Sequence, residues 1–300
     1  MLQRTITGAM IFVITLAFVL LKMVHALFFD AFVLMIVYAA LYETIGAYKN
    51  VEKKPYMVAL YALPALMCLV FNLELSILHS LIYVLLMAVA VLVYSLTADI
   101  IGFEQKRKKG IIEQDVNVLN STLFERTKIT MQIVAYPLIP LAFMFALNHL
   151  PYEIGYIGII LIFVVSMLTD TCAYFVGMLF GKTKFIPEVS PKKTVAGVVG
   201  GLLGGVIGAL GCFFLFYYTD MFTALNIAGM GKSIAAMLII AIGGSYINQL
   251  GDLIASALKR KIGIKDFSHI FPGHGGFMDR VDGMMFVSTF IYIILVLFFV

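Results

Sequence analysis

Apolar runs recur along the whole of this 300-residue chain, separated by short polar connectors, and most approach the length needed to cross a bilayer. A membrane-spanning helix needs about 20 apolar residues. The runs at 6–21, 24–42, 56–71, 77–97, 129–147, 156–180, 196–218, 234–258 and 283–300 predict nine such helices, and hence an all-α, polytopic membrane protein. The first is short and the third contains Pro64. A composition that is 62% hydrophobic and only 13% charged excludes an ordinary soluble domain, which has too little interior for that much apolar surface.

Basic residues orient the runs. With the N-terminus cytoplasmic, all of the 21 basic residues except Lys22 and Lys232 fall on the cytoplasmic side, in the connectors around 49–54, 102–128, 182–193 and 259–282 and at Arg4. The net charge of +4 is therefore mainly a topology signal, and a basic face of this kind also attracts anionic lipid. The opening MLQRTITGAMIFVITL has a signal-like order but no small-residue cleavage site, so it reads as a retained first helix. Cys68, Cys172 and Cys212 lie inside apolar runs without paired spacing, which supports neither a disulfide framework nor a zinc site.

No connector is long enough for a separate soluble domain. The longest, 102–128, contains EQKRKKG and reads as an interfacial linker with a surface helix. Few polar groups interrupt the runs before Leu150, whereas the second half carries nearly all the candidates for chemistry. Residues 1–150 are thus expected to form a packing or dimerisation region and 151–300 a catalytic region.

The segment 256–282, SALKRKIGIKDFSHIFPGHGGFMDRVD, concentrates both charge signs and a glycine turn. Asp266, Asp279 and Asp282 are hard oxygen ligands suited to Mg²⁺, Lys259, Arg260, Lys265 and Arg280 can neutralise phosphate, and Gly273, Gly275 and Gly276 allow close backbone approach to an anion. The plainer alternative is a loop whose charges only anchor helices. Upstream, Asn248, Asp252, Ser256 and Lys259 recur at helical intervals on one face. An acid within a membrane run must face protein or water, which marks Asp252 and Asp170 as candidate functional residues; a structural pair of Asp252 with Lys259 or Arg260 is the alternative. Ser190, Lys192, Lys193 and Thr194, in SPKKTVAG at the start of the seventh run, suit a triphosphate beside a helix N-terminus, or equally a basic anchor with an N-cap. The glycines at 197, 200, 201, 204, 205 and 208 have no preceding strand and point to helix packing, not to a dinucleotide fingerprint.

Two spacings, S-x-x-K-R-x4-K-D and P-x-H-G-G-x-x-D-R-x-D, hold Ser256, Lys259, Arg260, Lys265, Asp266, Pro272, His274, Gly275, Gly276, Asp279, Arg280 and Asp282. Together they resemble the signature of the CDP-diacylglycerol synthases, or phosphatidate cytidylyltransferases. D-x-x-A-Y-x-x-G-x-x-F-G-K, with Asp170, Tyr174 and Lys182, and SPKKT resemble further blocks of the same family, although Ala196 stands where a glutamate is usual. The resemblance covers residues 170–282. It implies CMP transfer from CTP to phosphatidic acid in a bacterial cell membrane, with the site cytoplasmic. It further implies Mg²⁺ on Asp252 and Asp279, alone or with a second cation, and catalysis by these with Lys259, Arg260, Asp266 and Asp282. Asp170, Tyr174, Lys182, Ser190, Lys192, Lys193, Thr194, Ser256, Lys265, His274, Gly275, Gly276 and Arg280 would bind substrate. The expected partners are CTP, phosphatidic acid, membrane lipid and a second copy as homodimer, with no nucleic acid. Two other readings are a CTP-dependent kinase of a lipid alcohol and a transporter of an anionic solute; against the latter, the polar residues gather towards one face and no inverted repeat is visible.

Overall fold

The computed structural model describes residues 2–48, 54–73, 77–108, 123–219, 221–268, 270 and 275–300. Helices dominate, because an apolar run surrounded by lipid must satisfy its backbone groups within itself. They are α1 (Leu2–Leu21), α2 (Ala26–Ala47), α3 (Met57–Phe71), α4 (Ile77–Lys108), α5 (Glu125–Ile133), α6 (Ile139–Asn148), α7 (Tyr152–Phe180), α8 (Val195–Tyr218), α9 (Thr223–Ala228), α10 (Met230–Ile262), α11 (Met278–Val281) and α12 (Met284–Phe299). Seven helical segments among the described residues are long and apolar enough to cross a membrane; Gly8–Leu21 and Met57–Phe71 are apolar but shorter. These two coincide with the first and third runs.

Three local departures from the sequence reading have physical causes. Helix α4 continues past Thr97 to Lys108, because the polar segment after Thr97 is rich in good helix formers and holds the i,i+3 pair Glu104–Arg107 at 3.4 Å. The fifth run is two helices joined by a wide turn at Val134–Leu138, where Pro137 cannot continue the hydrogen-bond ladder and Tyr136 takes an extended backbone. Finally, SPKKT does not open a helix. It forms β2 (Ser190–Thr194), antiparallel to β1 (Lys184–Ile186), and Thr194 then caps α8 by accepting from the N–H of Gly197 at 3.1 Å.

The glycine stripe of α8 seats that helix against α7 and α10. A Cβ on Gly204 would lie 2.5 Å from the Leu168 carbonyl oxygen and 2.7 Å from the Cys172 Cβ, and one on Gly201 would meet Gln249 of α10 at 2.9 Å. Small residues thus bring three helices within backbone range, as the packing reading requires. Helix α10 ends at Gly263, whose φ of 80° closes it in the left-handed region, with Lys259, Arg260 and Lys261 in its last turn beside the free carbonyls.

Around the start of α2 a buried polar network ties distant segments together. The Lys22 ammonium donates to the carbonyl and side-chain oxygens of Asn148 at 2.9 and 2.6 Å, and the Asn148 amide donates to Asp30 at 2.8 Å. Asn72 and His149 meet the other Asp30 oxygen at 2.9 and 3.0 Å. Paired in this way, a buried lysine and a buried aspartate are tolerated.

Candidate active site

A cavity of ≈ 300 Å³ opens where α7, α10 and the segment before α12 meet, lined by Asp170, Asn248, Asp252, Lys259, Asp266, Asp279, Arg280, Asp282 and Gly283. Five carboxylates and two cationic side chains in one space within an otherwise apolar bundle make it the principal polar feature of the described residues. The second half of the chain folds back to build it. A Cβ on Gly251 would stand 2.8 Å from the Asp282 carbonyl and 3.0 Å from the Gly283 Cα, so this part of α10 admits the DRVD segment only because it carries glycine.

Helix α10 supplies Asn248, Asp252 and Lys259 at intervals that return to one face. Asn248 donates to Asp170 of α7 at 2.7 Å, which fixes the orientation of both. Strand β2 supplies Lys193. The Lys193 ammonium meets Asp252 at 2.7 Å and the Gln249 carbonyl at 3.1 Å, while Lys192 is exposed. The sequence alternative for Asp252 was a pair with Lys259 or Arg260; its partner is Lys193. Lys259 instead meets Asp279 at 2.5 Å, and the Arg260 guanidinium donates to the Ile264 carbonyl at 3.3 Å.

Asp279 also organises the signature loop. Its second oxygen accepts from the N–H groups of Phe267 and Gly276, both at 3.1 Å, which ties these two positions to one carboxylate. Gly275, with φ of 79°, stands beside Asp279 and Asp266, in a backbone region that favours glycine. Asp282 is buried and accepts from the Gly283 N–H at 2.8 Å.

Of the sequence candidates, Asp170, Asp252, Lys259, Asp266, Asp279, Arg280 and Asp282 line the cavity, and Lys193, Gly275 and Gly276 touch carboxylates that do. Ser190 and Ser256 are half-buried away from its lining, and Lys182, Lys192, Arg260 and Lys265 are exposed. Tyr174 is 66% exposed on the apolar surface, and Thr194 is occupied as the cap of α8. Pro272, Gly273 and His274, like His269, Lys49, Lys53 and residues 109–122 of the long connector, lie outside the described residues.

Among the described residues no group of three or more His, Cys, Asp or Glu side chains is arranged as a ready ligand set. The donor chemistry nevertheless suits a hard cation: the cavity is lined by carboxylate oxygens, and the buried Asn248 Oδ1 has no hydrogen-bond partner among the described residues. The Lys193 and Lys259 ammonium groups already place positive charge against Asp252 and Asp279.

The sequence model of the Cytidylyltransferase family matches residues 2–298. The chain belongs to that family. A protein named phosphatidate cytidylyltransferase from Staphylococcus saprophyticus is 36% identical over 191 residues, 63% of this chain and 69% of the relative. Proteins of the same name from Staphylococcus epidermidis and Staphylococcus aureus are 34% and 31% identical over the same length and shares. The resemblance carried by residues 170–282 therefore extends into the first half of this cytidylyltransferase-family chain. One residue at the site escaped the sequence reading. Glu43 of α2 is 2% exposed and accepts from the N–H groups of Phe277 and Met278 at 2.7 and 2.6 Å and from the Ser268 hydroxyl. The only signal of it in the sequence was an acid near the end of an apolar run.

Proposed function

We propose that this chain transfers CMP from CTP to phosphatidic acid, releasing pyrophosphate and forming CDP-diacylglycerol. The observation that carries this reading is an aspartate-rich, lysine-bearing cavity in an apolar helical bundle that the cytidylyltransferase family matches along nearly its whole length. An amphiphilic acceptor that stays in the bilayer and a water-soluble nucleotide triphosphate need such a polar opening within reach of lipid.

The lipid phosphate oxygen attacks the α-phosphorus of CTP, and the bond from that phosphorus to the oxygen of the β-phosphate breaks. The attacking phosphate is already ionised, so no side chain has to remove a proton. Lys193, Lys259 and Arg280 bring positive charge to the phosphates, and the Gly275 backbone lets the nucleotide come close, while Gly276 gives room to Glu43 and Asp279. Asp252 and Asp279 would hold Mg²⁺, with Asn248 Oδ1 and Asp282 facing the same space. Bound there, the ion supplies charge that offsets repulsion between two anions and stabilises the leaving pyrophosphate. Asp170 and Asn248 brace one another and keep the α7 and α10 walls of the cavity in register. In this reading the cavity opens to the cytoplasm, on the side of the basic connectors, residues 1–150 carry packing and self-association, and residues 151–300 carry the chemistry.

The test uses purified protein, Mg²⁺, phosphatidic acid in mixed micelles and CTP labelled at either the α or the γ phosphate. CMP transfer puts the α label in lipid and the γ label in pyrophosphate. Lipid labelled from the γ position would instead identify a CTP-dependent kinase.

A further inference from the structure

Glu43 stands in the last two turns of α2 and touches the signature loop at both of its ends. One carboxylate oxygen receives the Ser268 hydroxyl and the Phe277 N–H, and the other receives the Met278 N–H. Ser268 and Phe277 flank the PGHGG sequence, so one side chain from the first half of the chain holds residues on both sides of it. Every one of these donors is neutral, so the contact is a set of hydrogen bonds and not an ion pair.

Gly276 shows how closely the parts fit. A Cβ there would lie 2.7 Å from the Glu43 Oε2, 2.9 Å from the Ser268 nitrogen and 3.0 Å from the Asp279 Oδ2. Glu43 and Asp279 therefore hold neighbouring backbone groups, Glu43 through Phe277 and Met278 and Asp279 through Phe267 and Gly276. Asp279 also reaches across to Lys259 on α10. The position of Asp279 in the cavity thus depends on a clamp whose fixed end is α2, an element that contributes no side chain to the cavity lining.

We propose that Glu43 is a positioning residue for the reaction, holding Ser268, Phe277 and Met278, and through them Asp279, in register with α10. The proposal rests on the cytidylyltransferase reading for its kinetic part, and on geometry alone for its structural part. Replacing one Glu43 oxygen by an amide turns an acceptor into a donor that faces N–H groups, so Glu43→Gln loosens the loop with almost no change in volume. Ser268→Ala removes one bond of the clamp and leaves the carboxylate intact.

The experiment combines kinetics with tryptic nicking of the purified, detergent-solubilised chain at Lys261 and Lys265, on the exposed approach to the loop. Outer-shell partners of a functional carboxylate affect activity by roughly 10- to 100-fold. Glu43→Gln is expected to lower kcat in about that range, to raise the Mg²⁺ concentration needed for half-maximal rate, and to leave the KM for phosphatidic acid unchanged. Its nicking rate should rise about tenfold, and Ser268→Ala should shift the same quantities in the same direction by less. Wild-type nicking and an unchanged Mg²⁺ requirement in a folded Glu43→Gln protein would overturn the proposal. So would a fall in activity of both variants that only follows their loss of folded protein. If the wild-type protein makes no CMP-lipid, the cytidylyltransferase reading fails, and the nicking rates alone decide whether Glu43 holds the loop.

Discussion

Lys193, on the strand that leads into α8, lies 2.7 Å from the Asp252 carboxylate in the middle of α10. Its neighbour Lys192 points away into solvent. Two adjacent lysines that look equivalent as a basic pair are thereby given different tasks. Lys193→Ala is expected to lower kcat/KM for CTP by roughly 10- to 100-fold, since hydrogen bonds to charged groups are worth about 1.5–3 kcal/mol. Lys192→Ala should change it by less than about threefold, as for a solvated surface charge. Equal losses in the two variants would show that the contact with Asp252 does not set Lys193 apart from Lys192.

Asp252 and Asp279 line one cavity but are engaged by different lysines. If both hold the same ion during turnover, Asp252→Asn and Asp279→Asn should each nearly abolish CMP transfer, and the double variant should be scarcely worse, because residues acting as a unit are not additive. Asp266→Asn should be milder. Steady-state rates across a Mg²⁺ titration check this; substantial Mg²⁺-dependent turnover in either single variant would remove that residue from the ligand set.

The glycine seam makes a stability prediction that is independent of chemistry. Gly204→Ala places a methyl 2.5 Å from the Leu168 carbonyl, whereas Gly211→Ala, on the same helix, meets nothing within 4 Å. Overpacking of this kind costs about 1–3 kcal/mol. Thermal unfolding in detergent should therefore show a lowered Tm for Gly204→Ala and none for Gly211→Ala.

Burial lowers the Lys22 pKa to about 8, with nearby Asp30 opposing the shift. The unfolded chain, with an ordinary lysine at 10.5, then holds more protons than the folded one between these values, so this group's contribution to stability rises with pH from about 8 to about 10. Subtracting the pH dependence of Tm for Lys22→Met from that of the wild type should leave a positive slope in this window. A flat or negative difference would show that Lys22 keeps its proton in the fold.

The distribution of basic residues predicts that Lys108 and Lys232 lie on opposite sides of the membrane. Single cysteines at these positions, in a background without Cys68, Cys172 and Cys212, should react with an impermeant thiol reagent from opposite sides. Labelling from one side would require a different number of crossings.

How much the sequence disclosed follows the range over which each signal acts. Apolar runs dictate helices by themselves, since backbone groups in lipid have no other partner, and helical intervals put Asn248, Asp252, Ser256 and Lys259 on one face without reference to any other segment, although Ser256 does not line the cavity. The glycines of α8 announced close packing for the same reason, because the absence of side chains is a local property. The concentration of aspartates, bases and glycines in 256–282 was visible in the sequence, where chemistry alone left it open between a phosphate site and a loop that anchors helices.

Partner choice was decided only in the tertiary structure. Local spacing cannot say that Asp252 pairs with Lys193 and not Lys259, because that depends on a hairpin that brings β2 against α10. Nor can it separate Tyr174, turned to the apolar surface, from Asp170 one turn away in the cavity. Glu43 is the extreme case: 235 positions separate it from Met278, and only the packing of α2 against the signature loop joins them. A sequence specifies such contacts through the whole set of helix packings at once, so no single stretch carries them, whereas the periodicity that makes each helix is written within it.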